Sequence, residues 1–213
     1  MSIVAPAITE GLDTYKSEVE RYQGFAERVH IDVCDGEFSP TFTVMPQQLW
    51  WPQTWVVDLH MMVARPSEHV QKLIELMPHL VILHSEVNED LVPTVRQLKA
   101  AGIKVGVALL RSTVPSSAEQ AILEADHVMI FSGELGRHGG IASMMQLEKV
   151  RLIRDIKANV EIGWDGGITK ENSYSIAQGG VDVLNVGGAL SNAEDPQSVY
   201  ATLINETNKR GII

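Results

Sequence analysis

A chain of 213 residues, 45% hydrophobic and 21% charged, has the size and mixture of one ordinary globular domain, which excludes disordered and fibrous classes. A formal net charge of -10 argues against nucleic acid or an anionic membrane as partner, because both need a basic footprint; a small molecule is the expected partner. Cys34, the one cysteine, excludes an internal disulfide, and no signal-like N-terminal segment or apolar run of about 18 residues is present, so a cytoplasmic protein is expected.

Taken in chain order, short runs of β-branched and aliphatic residues at 3–7, 28–32, 55–61, 80–84, 104–109, 127–131, 161–164 and 183–186 read as strands. Between them, residues 66–76, 90–101, 116–124, 144–158 and 172–178 carry the polar and apolar mixture of amphipathic helices. Near-continuous apolar runs such as Leu80-Val81-Ile82-Leu83 suit strands covered on both faces. About eight such strand-helix units with no linker predict one α/β domain over 1–213, a single (β/α)8 TIM barrel.

In such a barrel the chemistry lies at the C-terminal ends of the strands, and here those ends are polar. His30 and Asp32, at i and i+2, share a face, and Asp58 and His60 repeat the spacing, so each pair can face the barrel mouth. Imidazoles and carboxylates together suit Zn, Fe, Mn or Co better than Mg or Ca. A single His-x-Asp alone reads as a hydrogen-bonded histidine at a strand end rather than as a metal site. Gly166-Gly167 and Gly187-Gly188 follow the last two strands, where barrels hold phosphate on backbone N–H groups; each pair alone can simply turn the chain.

The stretch His30-Ile31-Asp32-Val33-Cys34-Asp35-Gly36-Glu37-Phe38-Ser39-Pro40 resembles the H-x-D-x-x-D-G-x-F-x-P motif of the ribulose-phosphate 3-epimerase family. Asp58-Leu59-His60-Met61-Met62 resembles its D-x-H-L-M motif, and Trp164-Asp165-Gly166-Gly167-Ile168 its V-D-G-G-I motif. His84-Ser85-Glu86 resembles an H-x-E element, and Gly102 to Leu109 the G-x-K-x-G-x-A-L strand, so the resemblance spans nearly the whole chain. It implies a ribulose-phosphate-binding type of barrel with one divalent metal held by His30, Asp32, His60 and Asp165. It also implies that Asp32 and Asp165 are the catalytic acid/base pair. Epimerisation next to a carbonyl removes a proton from one face and returns one to the other, so a carboxylate is needed on each side of a planar enediolate. Gly139, Gly140, Gly166, Gly167, Gly187 and Gly188 are the expected substrate and phosphate contacts.

The chain departs from that pattern around the quartet. Ala7 stands where the family has serine, with Thr9 as a nearby substitute if the first strand extends that far. The sixth loop, Leu135 to Ile141, carries Arg137 and His138 between glycines, either as a closing pair over phosphate or as a solvated tip. Gly163 replaces a glutamate, which removes a carboxylate near the ligands, and Trp164 should face the helices. Cys34 reads as an apolar filler, and His84 with Glu86 as a hydrogen bond of the core in preference to a pair that backs the metal ligands. Trp50, Trp51 and Trp55 fit a subunit interface less well than packing of their own loop.

The resemblance implies an isomerase of carbohydrate metabolism, a metal-dependent ketose-phosphate 3-epimerase of the pentose phosphate pathway. D-ribulose 5-phosphate and D-xylulose 5-phosphate are the expected pair. The alternatives are a hexulose phosphate such as D-allulose 6-phosphate, or a barrel that binds sugar phosphate without turnover. A phosphorylated ketose is the expected partner and a homo-oligomer the expected assembly.

Overall fold

The structure is a computed structural model and describes residues 2–9, 11–135 and 140–209. Among these residues, eight parallel strands close into a barrel in sequence order. They are β1 (Ile3–Ile8), β2 (Arg28–Cys34), β3 (Val56–Met62), β4 (Leu80–His84), β5 (Lys104–Leu109), β6 (His127–Phe131), β7 (Glu161–Asp165) and β8 (Val183–Val186). Each pairs with its successor, and β8 closes on β1 through Ile3 with Val183 to Pro6 with Val186. All eight lie where the β-branched runs put them.

The intervening helices are α1 (Leu12–Tyr22), α2 (Val70–Leu76), α3 (Leu91–Ala100), α4 (Glu119–Glu124), α5 (Glu148–Ile156), α6 (Lys170–Gln178), α7 (Gly188–Ser191) and α8 (Pro196–Thr207). Their starts are chemically marked. Pro66 and Pro115 open the 3-10 turns leading into α2 and α4, and Pro196 opens α8, positions where a missing N–H costs nothing. Asp90 and Asp195 cap α3 and α8 through Val92 N and Ser198 N. The second unit differs: β2 reaches β3 through a stretch whose regular part is the 3-10 turn Pro46–Gln48. Trp55 is buried there, Trp51 packs on the core, and Tyr15 stacks edge-on to Trp50 while donating to its carbonyl. Trp55 and Trp51 therefore pack on their own unit, while Trp50 remains 46% exposed.

Alternation along the strands builds two apolar layers. Val29, Ile31, Val33 and Trp164 join the outer core between barrel and helices, while Leu80, Ile82, Ala108, Met129 and Phe131 form a cluster inside. Polar side chains occupy the rest of the interior in tiers. At the N-terminal end, Arg28 donates to Asp58 at 2.7 Å and to both oxygens of Glu161 at 2.9 and 2.8 Å, and His127 meets Glu161 at 2.7 Å.

This network corrects one expectation. Asp58 does not reach the barrel mouth beside His60; two residues earlier on the same strand, it lies a tier lower and neutralises Arg28. Gly163 has a packing reason, because a Cβ there would overlap the His127 ring. The space of the expected carboxylate is filled by an imidazole, whose own acidic partner is Glu161.

Candidate active site

The second half of the first motif shapes the site wall. Asp35 accepts from the backbone N–H groups of Glu37, Phe38 and Ala64, which folds the loop after β2 back toward β3. Thr43 donates to the Asp32 carbonyl at 2.7 Å and accepts from Cys34 N at 2.8 Å, fixing the strand end that carries Asp32.

His30, Asp32, His60 and Asp165 converge at the C-terminal mouth, all buried, each offering one donor atom within 4.8 Å of the others. His60 Nδ1 lies 2.8 Å from Asp32 Oδ1 and 3.7 Å from Asp165 Oδ2. His30 Nε2 lies 3.2 and 4.0 Å from the same two oxygens. Two ligands bound to one ion at roughly 2.1 Å and about 90 to 110° apart stand about 3.0 to 3.4 Å from each other. The observed spacings bracket that range. His30 adds a second indication: it is fully buried, within ion-pair reach of both carboxylates, and neither ring nitrogen makes a directed hydrogen bond. Buried polar atoms rarely stay unpartnered, and a cation between these four residues would satisfy Nε2, the nitrogen that faces both carboxylates. The residues fit a divalent metal of the kind that accepts mixed nitrogen and oxygen ligands.

The two carboxylates are electrostatically unequal. Burial opposes charge on both. At Asp32 the contacts with His30 and His60 overcome it and hold the carboxyl well below the usual range. At Asp165 burial prevails, reinforced by the charge of Asp32, and its carboxyl is raised. Burial also pushes the His60 imidazole down to about 3, against the pull of Asp32. Cys34 lines the cavity, but burial and the nearby Asp32 charge push its thiol up to about 11, so it is a filler and not a nucleophile.

His84 belongs to the site more closely than the sequence suggests. Its Nε2 lies 2.8 Å from His60 Nε2, and its Nδ1 lies 3.1 Å from Glu86. Glu86 also accepts from Leu110 N at 2.8 Å and from the Thr113 hydroxyl. Phe38 and Phe131 lie against the His84 ring, at centroid distances of 4.7 and 5.8 Å. The core hydrogen bond expected for His84 and Glu86 is present, and it backs His60.

A cavity of about 520 Å³ opens over Asp32 and Asp165. Gly140, Gly166, Gly167, Gly187 and Gly188 line it; Gly139, Arg137 and His138 lie outside the described residues. Gly166 has φ 101° and Gly167 φ 70°, and a Cβ on either would overlap backbone, of Gly133 or Ala142. Ala7 adds only a methyl to the wall, whereas Thr9, just past β1, donates to Asp32 Oδ2 at 3.0 Å. Sequence reasoning missed Asn185. It sits beside Asp165 in the β7–β8 register, lines the cavity, and keeps a buried Oδ1 without a hydrogen-bond partner. Its signal was a polar residue inside the apolar run of β8.

A sequence model of the Ribulose-phosphate 3 epimerase family matches residues 3–191. The chain belongs to that family. It is accordingly an isomerase. It is 27% identical over 205 residues to a ribulose-phosphate 3-epimerase of Aquifex aeolicus, covering 92% of each chain. It is 32% identical over 176 residues to a chloroplastic ribulose-5-phosphate-3-epimerase of Arabidopsis thaliana, covering 78% of this chain and 63% of that one. Among solved structures, Mycobacterium tuberculosis tryptophan synthase superposes with a TM-score of 0.74 at 13% identity, covering 98% of this chain and 93% of that one, a likeness of fold alone. No helix among the described residues is long and apolar enough to cross a membrane.

Proposed function

We propose that this member of the family is a metal-dependent ketose-phosphate 3-epimerase that interconverts D-ribulose 5-phosphate and D-xylulose 5-phosphate. The observation that carries the reading is the placement of Asp32 and Asp165. They come from β2 and β7, three strands apart around the closed barrel, and both line one cavity with oxygens aimed at the same two imidazoles.

His30, Asp32, His60 and Asp165 are the residues that would hold the ion. When bound, a divalent metal supplies Lewis-acid stabilisation for the negative charge that develops on the substrate's oxygens. Asp32 and Asp165 move the protons. An ionised carboxylate removes the C3 proton on one side of the sugar, and a protonated one delivers a proton to the other side; the reverse reaction exchanges their roles. Without an ion the two carboxyls are already unequal, Asp32 lowered by His30 and His60 and Asp165 raised by burial and the Asp32 charge, and a bound cation would favour the ionised form of both.

The glycine-lined end of the cavity takes the phosphate. Gly166, Gly167, Gly187 and Gly188 bring backbone close enough to offer N–H groups, which lets an acidic chain bind an anion without a lysine. Gly140 is placed to contribute at the same rim. A longer ketose phosphate, such as D-allulose 6-phosphate, is the second reading, favoured by Ala7, which removes a hydroxyl from the wall. A cytoplasmic homo-oligomer completes the proposal.

The test is a substrate panel on metal-loaded protein. Turnover of ribulose 5-phosphate at a higher kcat/KM than any hexulose phosphate supports the pentulose reading. A preference for a hexulose phosphate selects the second, and binding without turnover of any ketose phosphate overturns both.

A further inference from the structure

Glu86, His84 and His60 form a file of hydrogen bonds that ends at the proposed ligand atom. From its polarity we infer that Glu86, acting through His84, fixes His60 in the tautomer with its proton on Nε2, leaving a bare Nδ1 lone pair for the metal. Glu86 and His84 are positioning residues for His60. The inference rests on the reading of the quartet as a metal site.

The direction of the file follows from what each group can do. An ionised carboxylate only accepts. Leu110 N–H and the Thr113 hydroxyl both converge on Glu86 Oε1, so Oε2 is left to His84 Nδ1 at 3.1 Å. As a neutral imidazole, His84 therefore carries its one proton on Nδ1 and a lone pair on Nε2. Two ring nitrogens 2.8 Å apart share one proton, and with His84 Nε2 accepting, that proton belongs to His60 Nε2. His60 Nδ1 then faces Asp32 Oδ1 at 2.8 Å and Asp165 Oδ2 at 3.7 Å as one of several acceptor atoms, an arrangement that calls for a cation. His60 and His84 are fully buried and flanked by Phe131, with Phe38 over His84, so the apolar rings offer neither nitrogen an alternative partner. Both tautomers hold the same number of protons; the file selects between them.

Glu86→Gln reverses the file. Leu110 N–H is fixed in the backbone and must keep an oxygen, so the amide NH₂ turns to His84 Nδ1, and each bond beyond it flips until the proton stands on His60 Nδ1. Outer partners of this kind are worth about 10- to 100-fold in metal affinity. Zn²⁺ affinity, measured by chelator competition without any sugar, is expected to fall by about that factor in Glu86→Gln. It should hold in Thr113→Val, which removes one donor without reversing any bond. In zinc-loaded wild type, ¹⁵N-labelled histidine should show N–N coupling between His60 and His84 with the proton on His60 Nε2. That spectrum decides the matter if Glu86→Gln does not fold. A proton found on His84 Nε2, or a folded Glu86→Gln that binds zinc as wild type does, overturns the inference alone. Wild-type protein that fails to bind Zn²⁺ overturns the metal reading with it.

Discussion

Thr9 Oγ1 donates to Asp32 Oδ2 at 3.0 Å, so the end of β1 holds the acid of β2 by a hydroxyl two residues past Ala7. The contact is to a carboxylate, and hydrogen bonds to charged groups are worth about 1.5 to 3 kcal/mol when well made. Thr9 is partly exposed, so the lower end applies. Thr9→Val should lower kcat by about tenfold with KM little changed, because the hydroxyl orients the proton-transfer group and not the phosphate. Steady-state kinetics check this; a change in KM alone would place Thr9 on the substrate instead.

Asn185 offers a complementary split. Its Oδ1 is buried, lines the cavity and lacks a partner, the condition of a group waiting for a substrate hydroxyl. Asn185→Leu removes that acceptor at similar volume. KM for the ketose phosphate should rise by about fivefold, the equivalent of one neutral hydrogen bond of about 1 kcal/mol, while kcat changes less.

At the other end of the barrel the consequence is stability. Arg28 is buried between Asp58 and Glu161, and its guanidinium holds Glu161 below its ordinary range although burial pushes the other way. Arg28→Met strands Asp58, which is 1% exposed, without its cation. Removing one partner of a buried pair costs about 3 to 5 kcal/mol, and urea denaturation should show that loss. Because Asp58 also acts on His30 through its charge, the same substitution should change metal affinity, though by less than it changes stability.

In the metal-free protein, Asp165 should contribute a stability that is lost as pH rises through neutrality. Asp165 is raised to about 7 by burial and the Asp32 charge, so the folded state binds a proton that the unfolded chain has released above about 3.9. Its contribution is complete below the unfolded value and is lost as pH climbs through the folded one. His30 is raised as well: burial opposes the charge, but Asp32 and Asp165 overcome it, and the sign is the same. The lowered His60 contributes with the opposite sign, so the difference is the readout: between about pH 4 and 8 the Tm of metal-free wild type should fall relative to that of Asp165→Asn. An unchanged slope in that variant would refute the assignment.

The strands were legible because their runs are β-branched, apolar and closed by polar residues, as in Leu80 to His84. Helices α1 and α8 were not. In α1 the buried Tyr15, Val19 and Tyr22 keep helical spacing but are diluted by charge, and α8 buries only Leu203 and Thr207. The quartet was legible from its motifs, whereas the tier of Asp58 was not, since period two says which face a side chain takes and not how deep it lies. Thr9 and the His84–Glu86 pair stood out locally, but that Thr9 reaches Asp32 and His84 reaches His60 depends on contacts between strands, which no local pattern encodes.

The central claim is that Asp32 and Asp165 work from the two sides of one sugar. Incubating metal-loaded protein with ribulose 5-phosphate in deuterated water and following C3 by NMR tests it most directly. The account predicts xylulose 5-phosphate carrying deuterium at C3 from wild type, and no epimerisation from folded Asp165→Asn. Full epimerisation by that variant, or product formed without solvent deuterium at C3, would contradict it.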